Sequence, residues 1–147
     1  KLDHELGELK QNPGNAYAAI NAARDAYHLR EWICHDRLLP DPALQRKITG
    51  KNASESNWNQ WINKSLNDFK LIRELCNGSK HFTLKKSGDI KKTLQGGWDT
   101  QAWDELSWDA EGFYIECGNG RTVSVCHLLT EARDFWRQLF KKHPGLR

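Results

Sequence analysis

Two stretches of this 147-residue chain gather side chains of the types that do chemistry. The first is Arg73-Glu74-Leu75-Cys76-Asn77-Gly78-Ser79-Lys80-His81-Phe82, in which an arginine, an asparagine, a lysine and a histidine fall close together. Histidine is the usual general acid or base near neutral pH. Arg73 and Lys80 carry the charge that neutralises a phosphate, and Asn77 is a group that orients a ribose or a leaving oxygen. Metal-independent RNA cleavage needs such parts: a base for the 2′-hydroxyl and cations for the pentavalent phosphorane. The plainer alternative is helix termination, with Asn77-Gly78 closing a helix and Lys80 and His81 favourable at its negative end.

The second stretch runs from Tyr27 to Asp36. On a helix, His28, Glu31 and His35 fall at i, i+3 and i+7 and share a face, with Asp25 three residues before His28. Imidazole and carboxylate are ligand types for zinc or iron, but the spacing is neither HExxH nor Glu-x-x-His. The alternative pairs Glu31 with Arg30 or Arg24 and leaves His35 at the surface, and no metal is expected. No cofactor is expected either. The Gly96-Gly97 pair has no following Lys-Ser/Thr, and no GxSxG elbow occurs.

Trp98, Trp103 and Trp108 recur at a spacing of five beside Asp99, Asp104 and Asp109. Carboxylates beside the rings repel phosphate, so these tryptophans are expected to cover the bundle or a protein partner rather than stack on bases. Cys34, Cys76, Cys117 and Cys126 form no CxxC pair and are expected to be reduced, buried and inert.

Helices must position both stretches. Leu2, Leu6 and Leu9 predict a helical turn or two before the break at Pro13-Gly14. Asn15 is the N-cap of a long Ala-rich helix whose apolar positions recur at helical spacing and which stops before Pro40. Asp41-Pro42 opens a short helix to Ile48, closed by Gly50. One helix then carries Trp58, Ile62, Leu66, Phe69, Ile72 and Cys76 on a single face and ends at Asn77-Gly78. Lys85 to Gly97 is an exposed excursion. Glu105–Trp108, Phe113–Cys117 and Thr122–Val125 alternate as short strands, with turns at residues 109–112 and 118–120. The last helix spans Leu128 to Lys142, its basic final turn suiting the dipole.

The expected class is mainly α: a helical bundle with a small antiparallel three-stranded β-meander before the last helix. The expected organisation is one domain over residues 1–147. It comprises a helical core at 15–82, an exposed loop at 83–104, the meander at 105–125 and the C-terminal helix at 128–142.

A long Ala-rich helix followed by one that closes in an Arg…Asn…His cluster resembles the HEPN superfamily of small helical bundles. The resemblance covers about residues 15 to 82. It implies a dimeric RNA-binding or metal-independent RNA-cleaving domain of a bacterial toxin or antiviral system. His81 would be the base or acid, Arg73 and Lys80 would hold phosphate, and Asn77 would orient. His28 and Glu31 would be supporting or dimer-face groups. The family motif places the His four to six residues after the Arg, whereas residues 74 to 80 separate Arg73 from His81 here. A member with that spacing is expected to bind RNA whether or not it cleaves it.

Composition sets the outer bounds. With 28% charged and 38% hydrophobic residues the chain is neither disordered nor membrane-spanning in type. A net charge of +3 allows a basic patch without demanding one. The expected setting is cytoplasmic, the expected partners are RNA or a protein, and a homodimer is expected. The start at Lys1 rather than Met points to trimming.

Overall fold

The computed structural model describes residues 1–81, 90–96 and 112–146. The class is the expected one, mainly helical with an antiparallel sheet ahead of the last helix. Helix α1 (Leu2–Gln11) buries Leu2, Leu6 and Leu9. Helix α2 (Ala16–Ile33) is capped by Asn15, whose side chain accepts from the Ala18 N–H at 3.1 Å. Its alanines 18, 19, 22, 23 and 26 are all buried. Small side chains let neighbouring backbones approach, and α1 and α5 pack most extensively against α2.

A π-helical turn (Cys34–Leu38) follows α2 and places Leu39 before Pro40, its N–H donating to the Cys34 carbonyl. Leu39 itself keeps a helical backbone, but Pro40 has no N–H to donate to the preceding turn, so the helix ends here. Helix α3 (Pro42–Thr49) starts on the Asp41 cap and stops at Gly50, whose φ of 71° a glycine adopts without strain.

The single helix expected across Trp58 to Cys76 is two helices, α4 (Glu55–Ser65) and α5 (Phe69–His81). Between them Leu66 is extended and Asp68 has a φ of 59°. Aspartate tolerates the left-handed region better than most residues. Arg121 then holds it by two hydrogen bonds, Nη1 to Oδ2 at 2.9 Å and Nη2 to Oδ1 at 2.6 Å. The apolar spacing continues through this break, so periodicity conceals it. The end of α5 differs as well. The helix passes through Asn77-Gly78 to His81, since a helical glycine costs only about 1 kcal/mol relative to alanine.

Strand β1 (Ile90–Gly96) pairs antiparallel with β2 (Gly112–Cys117), and the three-residue β3 (Thr122–Ser124) lies along the other edge of β2. The register places Ile90 opposite Cys117 and Leu94 opposite Tyr114, with an irregularity between Ile90 and Lys92. β1 falls where an exposed loop was expected, while the strand expected at Glu105–Trp108 lies outside the described residues. Ile-Lys-Lys-Thr-Leu-Gln-Gly has little strand signal of its own, and its partner supplies the rest. The Ile90 N–H also donates to Glu74 Oε2 at 2.8 Å, which ties the sheet to α5.

Helix α6 (Val125–Lys142) starts three residues earlier than expected because Ser124 caps it directly from β3. Trp58, Trp136, Ile62, Ile72, Ile115 and Leu128 form the centre of one continuous core. Trp61 stacks on Trp58 at 5.3 Å between ring centroids, and Phe135 packs edge-on to Trp136 at 5.1 Å. Among the described residues no helix is long and apolar enough to cross a membrane.

Candidate functional site

The run of α5 to His81 changes how the first stretch is displayed. At 100° per residue, positions 73, 77, 80 and 81 fall within an arc of about 100° and span roughly 12 Å along the axis. The four positions therefore form one stripe of a helix rather than a cluster around a turn. Arg73 and Asn77 are exposed, as is Lys70 on the same arc.

The second stretch forms a joined set on α2. His28 Nδ1–H donates to Glu31 Oε2 at 2.7 Å, and Arg30 Nη2 donates to Glu31 Oε1 at 2.7 Å. Arg30 Nη1 donates to Asn59 Oδ1 of α4 at 2.6 Å, and the guanidinium lies 4.7 Å from the centre of the Tyr27 ring. The Arg30 carbonyl accepts from the buried Trp58 Nε1–H at 2.9 Å. Burial pushes the Glu31 carboxyl up, but the His28 hydrogen bond and the Arg30 charge outweigh it, and its pKa lies below the usual value. A carboxylate that holds one imidazole nitrogen fixes the tautomer and orients the other nitrogen for proton transfer.

His35 does not join this set. It is exposed on the π-helical turn, and among the described residues no three His, Cys, Asp or Glu side chains are grouped to hold a metal. Burial pushes the neighbouring Cys34 thiol up, with the Glu55 charge adding to the effect, which is the environment of an unreactive cysteine.

Tyr27 stacks on Phe69 at 5.8 Å, so α5 begins beside the His28–Glu31 set. His81 lies twelve residues further on, roughly 18 Å along the helix. No hydrogen bond or ion pair among the described residues joins His28 or Glu31 to Arg73 or Asn77.

A third feature lies on the neighbouring face of α2. Asp25, His28, Leu29 and Trp32 follow one another at helical spacing. Asp25, Leu29 and Trp32 line a pocket of about 280 Å³ with Arg133, Trp136 and Phe140 of α6. Asp25 is 4% exposed and Trp136 is 2% exposed. Lys1 Nζ lies 3.5 Å from Asp25 Oδ1, while Asp25 Oδ2 and Trp136 Nε1 have no hydrogen-bond partner among the described residues. Trp32 is 53% exposed and stacks on His28 at 6.4 Å, so it links the pocket to the His28–Glu31 pair.

Spacing within one helix shows the His28–Glu31 pair. The alternative pairing of Glu31 with Arg30 is also present, at 2.7 Å, whereas Asn59, which arrives from a different helix, carries no signal in that spacing. Asp25 carries a weak signal, an acid on the same side of an Ala-rich helix as Ala22 and Ala26. Trp98, Trp103 and Trp108 lie outside the described residues. No family model, curated protein or solved structure matches the chain.

Proposed function

We propose that the chain is a HEPN-like domain of a bacterial toxin or antiviral system that binds RNA and cleaves it without metal in the cytoplasm, as a homodimer. The observation that supports this reading is the α5 stripe, where exposed Arg73 and Asn77 share one helical arc with positions 80 and 81. His81 takes the 2′-hydroxyl proton, the 2′-oxygen attacks phosphorus as the P–O5′ bond breaks, and the 5′-oxygen leaves with a proton taken from water. The products are a 2′,3′-cyclic phosphate and a 5′-hydroxyl. Arg73 and Lys80 offset the charge on the phosphorane, and Asn77 orients the ribose. A stripe along one helix is an open surface, and a second copy supplies the opposing wall.

A mixed RNA pool incubated with EDTA tests this reading. Wild-type protein cleaves to cyclic-phosphate ends, and folded His81→Ala does not. If neither cleaves while both remain folded by circular dichroism, the ribonuclease reading fails. The Trp-Asp repeat over residues 98–109 favours a second reading, a protein-interaction module. In that case Trp103→Ala abolishes partner binding and charge reversal at Arg73 and Lys80 leaves it intact.

A further inference from the structure

Helix α2 is apolar over more of its circumference than its packing uses. Alanines 18, 19, 22, 23 and 26 are buried on one side. Among the described residues, the large hydrophobic side chains most open to solvent are Tyr17 at 83%, Trp32 at 53% and, just past the helix, Leu39 at 40%. At 100° per residue Tyr17, Arg24, His28 and Trp32 fall within an arc of about 80°, away from those alanines. A helix with apolar groups on opposite sides is normally covered on both. Aromatic side chains left in line on the outer side mark an interaction face.

Composition narrows the kind of partner. From Ala16 to Leu39 the cations are Arg24, Arg30 and Arg37, and no lysine occurs. Tryptophan, tyrosine and arginine anchor protein–protein interfaces, from which lysine is depleted. A phosphate-binding face uses lysine as readily as arginine. The face therefore suits a protein surface better than a nucleic acid.

Spacing then selects a second copy of this chain. Tyr17 and Leu39 lie eleven residues on either side of His28, and Arg24 and Trp32 lie four on either side. Two such helices packed antiparallel about a two-fold axis at His28 place each residue opposite the one equally far beyond the axis in the other copy. Tyr17 of each copy then meets Leu39 of the other, so the exposed apolar groups at the two ends cover one another. Arg24 comes level with Trp32 and within one residue's rise of Glu31, on the same edge of the helix pair. The Glu31 carboxylate accepts from His28 and Arg30 and keeps lone pairs for a second guanidinium. Symmetry makes that contact between opposite charges twice. We infer that two copies of the chain pair antiparallel through this face of α2, with the two-fold axis at His28. The inference rests on the homodimer of the reading above and names its surface.

Sedimentation equilibrium of the full chain tests it. Wild type dimerises reversibly at concentrations up to about 0.5 mM. Trp32→Ala and Tyr17→Ala each weaken the dimer by about tenfold or more, and both keep the wild-type circular dichroism because the side chains they truncate are exposed. If Trp32→Ala does not fold, Tyr17→Ala carries the test. Mild oxidation reads the register, with wild type as the control for the native cysteines. His28→Cys forms a disulfide with its own copy across the axis, whereas Asn21→Cys, roughly 21 Å from its own copy, forms none. A monomer at every concentration, a dimer that folded Trp32→Ala and Tyr17→Ala leave intact, or no disulfide in His28→Cys overturns the proposal. A monomer whose affinity for a single-stranded RNA oligonucleotide falls in those two variants overturns it in favour of a nucleic-acid platform. The dimer as described without RNA cleavage sinks only the ribonuclease reading. RNA cleavage by a dimer that both substitutions leave intact sinks only this one.

Discussion

Asp68 and Arg121 face each other across 53 residues of sequence as a two-pronged carboxylate–guanidinium pair at 2.9 and 2.6 Å. The pair joins the residue that breaks α4 from α5 to the turn that leads into β3. It also holds the Arg121 guanidinium more firmly protonated than usual, through the Asp68 hydrogen bond first and then the Asp68 charge. Two effects meet at Asp68, its left-handed backbone and its ion pair, and substitution separates them. Asp68→Ala loses both and costs about 1–2 kcal/mol more than Asp68→Gly, because only glycine adopts that φ without strain. Asp68→Asn retains the backbone tolerance and loses the pair, at a cost of up to about 1 kcal/mol that shrinks in high salt. Urea unfolding of the three variants at low and high salt checks this. Equal destabilisation by alanine and glycine would falsify the backbone part.

Asn59 is the group that holds Arg30 from outside α2. Asn59→Ala leaves Arg30 Nη1 without its 2.6 Å acceptor in a largely buried position, beside an Nε that has no partner among the described residues. The expected loss is about 1–3 kcal/mol, more than a typical surface substitution. Asn59→Asp restores an acceptor and adds charge, and it recovers most of that stability. Chemical denaturation midpoints of the pair decide the matter. A loss in Asn59→Ala too small to measure means that Arg30 finds water at no cost.

Glu31 gives the acid limb of the stability profile a defined sign. Its folded-state pKa is depressed below 4.5, so the unfolded chain binds the proton more tightly. The contribution is fully present above pH 4.5 and is lost as pH falls through the folded value. Glu31→Gln removes that loss, and its thermal midpoint falls less steeply than that of wild type on going below pH 4.5. Parallel melting curves for the two proteins across that window count against the assignment.

His143 acts in a second, higher window. It is buried at the end of α6, and burial first, then the charges of Lys142 and Lys47, push its pKa below 6.5. The folded state prefers the neutral ring, so the stabilising difference is present above pH 6.5 and declines as pH falls through the folded value. His143→Gln flattens that decline, and Lys47→Gln reduces it by relieving one repulsion. Differential scanning calorimetry from pH 7.5 downward, in steps of about half a unit, shows whether the wild-type slope depends on this residue.

Local patterning was legible at most helix ends, the Asn77-Gly78 pair that α5 runs through being the exception. The Asn15 cap, the Asp41-Pro42 start, the stop at Gly50 and the end of α6 near Lys142 all follow from side chains within a turn of the feature they control. The His28–Glu31 hydrogen bond belongs to the same group, since i and i+3 positions on a helix must meet. The break at Asp68 was hidden because Leu66 and Phe69 continue the apolar spacing, and the reason for the break arrives with Arg121 from far along the chain. β1 was hidden for a related cause, since Ile90–Gly96 becomes a strand through its pairing with β2.

The sequence by itself determined a mainly helical chain, the caps at Asn15 and Asp41, the stop at Gly50, and a histidine–carboxylate pair on one face of α2. Those follow from interactions over three or four residues, which helical geometry imposes without outside help. Only the tertiary structure decided that Arg30 is gripped by Asn59, that α5 runs on to place positions 73, 77, 80 and 81 on one stripe, and that Asp25 and Trp136 line a common pocket. Each of these depends on which helices pack together, and packing is set by the complementarity of whole faces, which no window of a few residues contains.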